Sequence, residues 1–141
     1  MIAMESGVLA MCNGEKDIRI WDLNNEEHGS ISLRTAKGYS SAETITCISY
    51  SNIKGCLSGG TSEGKVANWK RRRATDETLS EQWNLQEAIS IGSKVELVRW
   101  ATVSGVLAVS ACSLVTLLKE QPILADANAD VGDYIHIIIF S

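Results

Sequence analysis

The chain has 141 residues, 45% of them hydrophobic, with 13 basic and 17 acidic side chains and a formal net charge of −4. That balance leaves no global electrostatic footprint for nucleic acid. No run reaches the roughly 18 apolar residues that a membrane span needs, and residues 1–10, which carry Glu5 and no basic segment, are not expected to act as a signal peptide. The four cysteines, Cys12, Cys47, Cys56 and Cys112, make no C-x-x-C pair, and only His28 and His136 accompany them. Reduced thiols in a cytoplasmic protein are therefore expected, with no metal and no cofactor.

In chain order the elements are short strands between turn residues, with no helical period. The first unit reads as strands over 8–12 and 17–23 around a turn at 13–16, with a weaker outer strand over 31–34. The second unit is the most complete, with strands over 44–50, 56–59 and 65–69, a polar loop over 70–81 and an outer strand over 82–91. In the third, 95–100, 106–111 and 114–119 repeat the same order. The apolar run at 134–140 suits a strand, but residues 121–141 do not fall on the repeat. The domain reading is a partial blade over 1–36, a blade over 43–92, a degenerate partial blade over 94–120 and an unassigned tail.

These units keep a beat. Gly7, Gly55 and Gly105 lie 48 and 50 residues apart, Trp21 and Trp69 lie 48 apart, and Gly14 and Gly64 lie 50 apart. The string Ser-Gly-Val-Leu-Ala occurs at Ser6 and again at Ser104. Strand-filled units at such a period mark a propeller. Closed propellers typically have four to eight blades, so the fold expected is all-β, an incomplete propeller of about three blades of four-stranded antiparallel sheet, read as a fragment of a longer protein. Open blade faces and strand edges would invite pairing with other chains.

The segment from Gly14 and Glu15 through Trp21 and Asp22 matches the end of a WD repeat, in which an acidic tight turn leads into an alternating strand closed by Trp-Asp. The second unit repeats it as Glu63, Gly64 and Trp69, now followed by Lys70. Glutamates stand where aspartate is usual, and the opening Gly-His is missing. The usual Asp, His, Ser/Thr and Trp hydrogen-bond network is thus not expected, and packing should hold the blades. Trp21, Trp69 and Trp100 are expected as core anchors, with Gly55 and Gly105 as further structural repeat positions.

The order Cys47-Ile48-Ser49-Tyr50, Ile53 to Leu57, Gly60 to Lys70 and then Gln82-Trp83-Asn84-Leu85, preceded by Gly14 to Leu23, is similar to the 140-kilodalton subunit family of intraflagellar transport complex A. The resemblance covers roughly residues 5–120. It implies part of an N-terminal propeller, no catalytic site and no cofactor. It further implies a place in the cilium and at its base, with complex A subunits, dynein-driven trains and ciliary membrane-protein cargo as partners in retrograde transport and cilium assembly.

Two local features are candidate interaction sites. Lys70, Arg71, Arg72 and Arg73 form a basic run expected in the loop after the third strand, and Trp83, on the outer strand, is expected to be partly exposed and available to a partner. A nucleophilic enzyme would need Cys or Ser with a histidine oriented by a carboxylate, and no such motif is present. The leading reading is a non-catalytic interaction scaffold. The alternatives are a generic WD-repeat adaptor in ubiquitin ligation or a vesicle coat, and a nucleic-acid-associated propeller using the basic run.

Overall fold

A computed structural model describes residues 1–4, 7–72, 79, 82–121 and 133–140, with side chains for those up to residue 119. Three antiparallel sheets follow one another along the chain. The first contains β1 (Ile2–Ala3), β2 (Val8–Met11), β3 (Asp17–Asp22) and β4 (Glu27–Ser32) in sequential order. The second contains β5 (Ile45–Ser51), β6 (Cys56–Thr61), β7 (Lys65–Arg71) and an outer strand in two pieces, β8 (Trp83–Leu85) and β9 (Ile89–Ser90), both paired with β7. The third contains β10 (Leu97–Trp100), β11 (Val106–Ala111), β12 (Leu114–Gln121) and β13 (Asp133–Phe140). No helix occurs among the described residues, and the incomplete all-β propeller is the fold observed.

The glycine beat is a turn beat. Gly7, Gly55 and Gly105 each stand before the second strand of their sheet at φ 79°, 59° and 63°, a left-handed geometry that L side chains rarely adopt. The tryptophan beat is a register beat. Trp21 pairs with Leu9 and Trp69 with Leu57, and in the third sheet Leu118, 49 residues after Trp69, pairs with Leu107. Leucine fills the place of the lost tryptophan and is fully buried there.

Alternation gives each sheet two faces. We call the one carrying the Trp21, Trp69 or Leu118 row the front, and the other the back. Val8, Ala10, Ile18, Ile20 and Ile31 on the back of the first sheet pack with Leu57, Ala67, Trp69 and Ile45 of the second. Cys56 and Val66 on the back of the second pack with Val98, Trp100, Leu107, Val109 and Leu118 of the third. The front of the first sheet and the back of the third have no sheet over them among the described residues.

The outer strands depart from expectation. In the first sheet β4 is Glu27–Ser32, not 31–34. His28 and Ser30 are exposed and paired with Trp21 and Arg19, so a mostly polar sequence forms a strand through its ladder to β3, with Ile31 its one core contact. The expected strand over 82–91 is interrupted at 86–88, where Gln86 N–H donates to Asn68 C=O at 2.8 Å and the chain then leaves β7. The run at 134–140, off the repeat in sequence, forms β13 and completes the third sheet against β12.

Candidate interaction surface

The basic run begins inside a strand. Lys70 and Arg71 belong to β7, and Arg72 follows directly, its N–H donating to Gln82 C=O at 2.6 Å. This corrects the loop placement: β7 continues because Cys56 pairs with Lys70 and Asn84 with Lys70 on the other side. Arg71 Nη2 donates to Gln82 Oε1 at 3.1 Å, and the guanidinium lies 5.7 Å from the Trp83 ring centroid. Arg73 lies outside the described residues.

Trp83 is 6% exposed, which corrects the expectation of an available aromatic. Its ring meets Tyr50 edge-on at 6.1 Å and carries Arg71 on its face, so it closes the first interior and not a partner's pocket. The more exposed tryptophan is Trp21, half-buried on the open front of the first sheet, whereas Trp69 and Trp100 are buried anchors as expected.

Packing is not the sole glue. Glu43, fully buried just before β5, accepts from Thr61 Oγ1 at 2.5 Å, from Ser40 N–H at 3.0 Å and from Lys65 Nζ at 3.3 Å. Lys65 Nζ also donates to Gly38 C=O at 2.5 Å and lies 5.5 Å from the Tyr39 ring centroid. Burial, and then the Glu43 charge, push the Tyr39 hydroxyl up to about 12. This network ties the link between the first two sheets to the β6–β7 turn of the second, where a buried charge survives only if paired and hydrogen-bonded. Glu63, the acid aligned with the repeat, is exposed instead.

A second network bridges sheets two and three. Trp100 Nε1 donates to Ser58 Oγ at 2.9 Å, Ser58 Oγ donates to Asn68 Oδ1, and Trp100 N–H donates to Ser49 Oγ at 3.0 Å. Both networks overturn the packing-only expectation. Sequence reading missed Glu43, although Ser40 and Glu43 stand at capping-box spacing and Glu43 N–H bonds back to Ser40 C=O. Ser58 and Asn68 were legible only as strand residues, because what pairs them is the β6–β7 register.

The two open faces carry grooves. One, of about 320 Å³, lies on the front of the first sheet between Glu15, Asp17, Arg19, Trp21, His28 and Ser30. The other, of about 590 Å³, lies on the back of the third sheet among Arg99, Val106, Ala108 and Leu117. Among the described residues no three or more His, Cys, Asp or Glu side chains cluster to hold a metal, and no helix is long and apolar enough to cross a membrane. None of the four cysteines is in a disulfide.

The model of the IFT140 first beta-propeller family matches residues 1–121. Among solved structures, the chain is similar to the Myceliophteria thermophila Cps50 (Swd1) beta-propeller domain at 15% identity and TM-score 0.60, covering 94% of this chain and 36% of that one. It is also similar to a chain of the Mitotic Checkpoint Complex at 13% identity and TM-score 0.58, covering 79% of this chain and 29% of that one. At such identities the likeness shows the fold, and the chain spans about a third of the length of the structures it matches.

Proposed function

The chain belongs to the IFT140 first beta-propeller family, and from that premise we propose that it is a non-catalytic interaction scaffold acting within intraflagellar transport complex A, in retrograde transport and cilium assembly. The observation that carries this reading is the family match over 1–121 laid on three sheets that keep the repeat registers. The division into blades over 1–36, 43–92 and 94–120 belongs to the same proposal, as do complex A subunits, dynein-driven trains and ciliary membrane-protein cargo as partners, in the cytoplasm and at the cilium and its base. The repeat residues Gly14, Glu15, Trp21, Asp22, Gly55, Glu63, Gly64, Trp69, Trp100 and Gly105 are proposed as structural.

Within the basic run, Lys70, Arg71, Arg72 and Arg73 are the proposed protein contacts, with Arg71 also held by Gln82 and Trp83. The test is expression of the tagged chain in ciliated cells, followed by identification of copurified proteins and imaging. Co-purification with other complex A subunits and enrichment at the ciliary base are expected. Recovery with ubiquitin-ligase or coat subunits alone would overturn the transport reading and favour a generic adaptor.

A further inference from the structure

The three sheets end on unlike outer strands. β4 is six residues long, mostly polar, and carries Glu27, and the outer strand of the second sheet is broken at 86–88 between β8 and β9. Charge and interruption of this kind keep a strand edge from pairing with another chain. β13 has less of either. It pairs with β12 at each of its eight residues without a break, and no strand lies against its other edge among the described residues. From Tyr134 to Phe140 it reads Tyr-Ile-His-Ile-Ile-Ile-Phe, with no acid, lysine, arginine, proline or glycine. The nearest charges by register are Asp133 at its start and, one strand in, Lys119 opposite Ile135 and Glu120 opposite Tyr134. A long, uncharged and unbroken edge is a template for a further strand.

The order of residues also selects that strand. When two copies of one strand pair antiparallel about a two-fold axis normal to the sheet, directly opposed residues share a face, so the axis passes through a residue. Ile137 is the centre of the uncharged stretch. About it Tyr134 opposes Phe140, Ile135 opposes Ile139, His136 opposes Ile138 and Ile137 opposes itself. Aromatic then meets aromatic and β-branched meets β-branched, the kind of cross-strand pair that stabilises a sheet. A centre at His136 or Ile138 breaks the aromatic pairs, and the one at His136 also sets Asp133 against Ile139.

We propose that β13 is a self-association edge, through which two copies of this chain pair antiparallel about Ile137 and join two four-stranded sheets into one. Each copy has one such edge and the pairing uses it up, so the product is a closed dimer. Association through the open sheet faces would differ, because the front of one copy laid on the back of the next is a head-to-tail contact that adds copies beyond two. The pairing holds or fails independently of the transport reading.

Sedimentation velocity over a concentration series should show a monomer–dimer equilibrium with no larger species. Ile137→Lys and Ile137→Glu each set like charges opposite one another across the axis and should weaken dimerisation at least about 10-fold. An equimolar mixture of the two should recover it, because lysine then faces glutamate. Circular dichroism checks that both variants fold. Hydrogen exchange of the wild-type chain needs no substitution and decides the matter if they do not: amides of 134–140 should gain protection as concentration rises, and those of β4 should not. A chain that stays monomeric up to about 0.5 mM would overturn the proposal, as would growth beyond the dimer. So would a mixture of folded variants that recovers nothing, or protection gained elsewhere and not over 134–140.

Discussion

Residues 48 apart in the first and second sheets share a register but not an environment. Trp21 and Trp69 each pair with a leucine on the preceding strand, yet Trp69 is 2% exposed beneath the first sheet while Trp21 lies half-buried on an open face. Likewise Arg19 faces solvent where Ala67 is sealed, and Asp17 forms an exposed pair with Arg34 where Lys65 reaches a buried Glu43. The repeat therefore specifies where a side chain points, and the neighbouring sheet decides what it contributes. Burial of the indole, not its place in the motif, sets its energetic role.

The sharpest break in that comparison is truncation of the two tryptophans. Trp69→Ala should destabilise by about 3–5 kcal/mol through lost burial and the cavity left at the seam. Trp21→Ala should cost about 1 kcal/mol or less, since its ring has no covering sheet. Urea unfolding followed by far-ultraviolet circular dichroism measures both, and equal losses would show that the front of the first sheet is covered in solution.

The turn glycines give the next largest contrast. Gly14 and Gly64 have φ of 80° and 85°, so alanine at either is strained. A Cβ at Gly14 meets nothing within 4 Å, whereas at Gly64 it would come within 2.6 Å of Ser93 N and 2.8 Å of Ser93 O. Gly14→Ala should cost about 1–2 kcal/mol, and Gly64→Ala about 2–4 kcal/mol because backbone must also shift. The same denaturation series tests the order.

Glu43→Gln sharpens the comparison of buried and exposed charge. It keeps an acceptor for Thr61 Oγ1 but leaves Lys65 without its carboxylate, and a loss of about 1–3 kcal/mol is expected. Asp17→Asn, which weakens the Arg34 pair on an exposed surface, should cost no more than about 1 kcal/mol. A double-mutant cycle of Glu43→Gln with Lys65→Met would report the coupling, and additivity would show that the pair does not act as one.

Much of this fold was legible because turns and alternation are local. Gly7, Gly55 and Gly105 announce left-handed turns, the alternation in β2 and β3 follows from one buried face, and the small and apolar runs of β6 and β7 follow from faces buried on both sides. What escaped depends on contacts between distant segments. The polar strand β4 pairs residue by residue with β3 and has no apolar period of its own, and β13 needs β12 to be recognised as a fourth strand. Trp83 sits on an outer strand by sequence, but Tyr50 and Arg71 close over it in space. The basic run looked like a solvated loop because nothing local reveals that β7 carries it to Arg71. Glu43 escaped for a related reason: its partners Thr61 and Lys65 are brought to it only when β5, β6 and β7 are in register.

A pH-dependent contrast concerns the residue after each tryptophan, Asp22 in the first sheet and Lys70 in the second. Asp22 is 5% exposed and its carboxylate accepts from Asn25 Nδ2 at 2.8 Å, Asn24 N–H at 3.0 Å and Asn25 N–H at 3.3 Å, so it fastens the β3–β4 turn. The Asn25 side-chain bond, then the backbone bonds and the nearby Arg71 charge, lower its pKa against the opposing effect of burial. A carboxyl lowered in the folded state stabilises the fold above its unfolded value of about 3.9, and that contribution disappears as pH falls through the lower folded value. Asp22→Asn should thus cost about 1 kcal/mol at pH 7 and progressively less as the pH falls below about 4. Urea midpoints measured from pH 7 to pH 2 should converge for wild type and variant at the acid end. A constant gap would mean that Asp22 acts through shape alone.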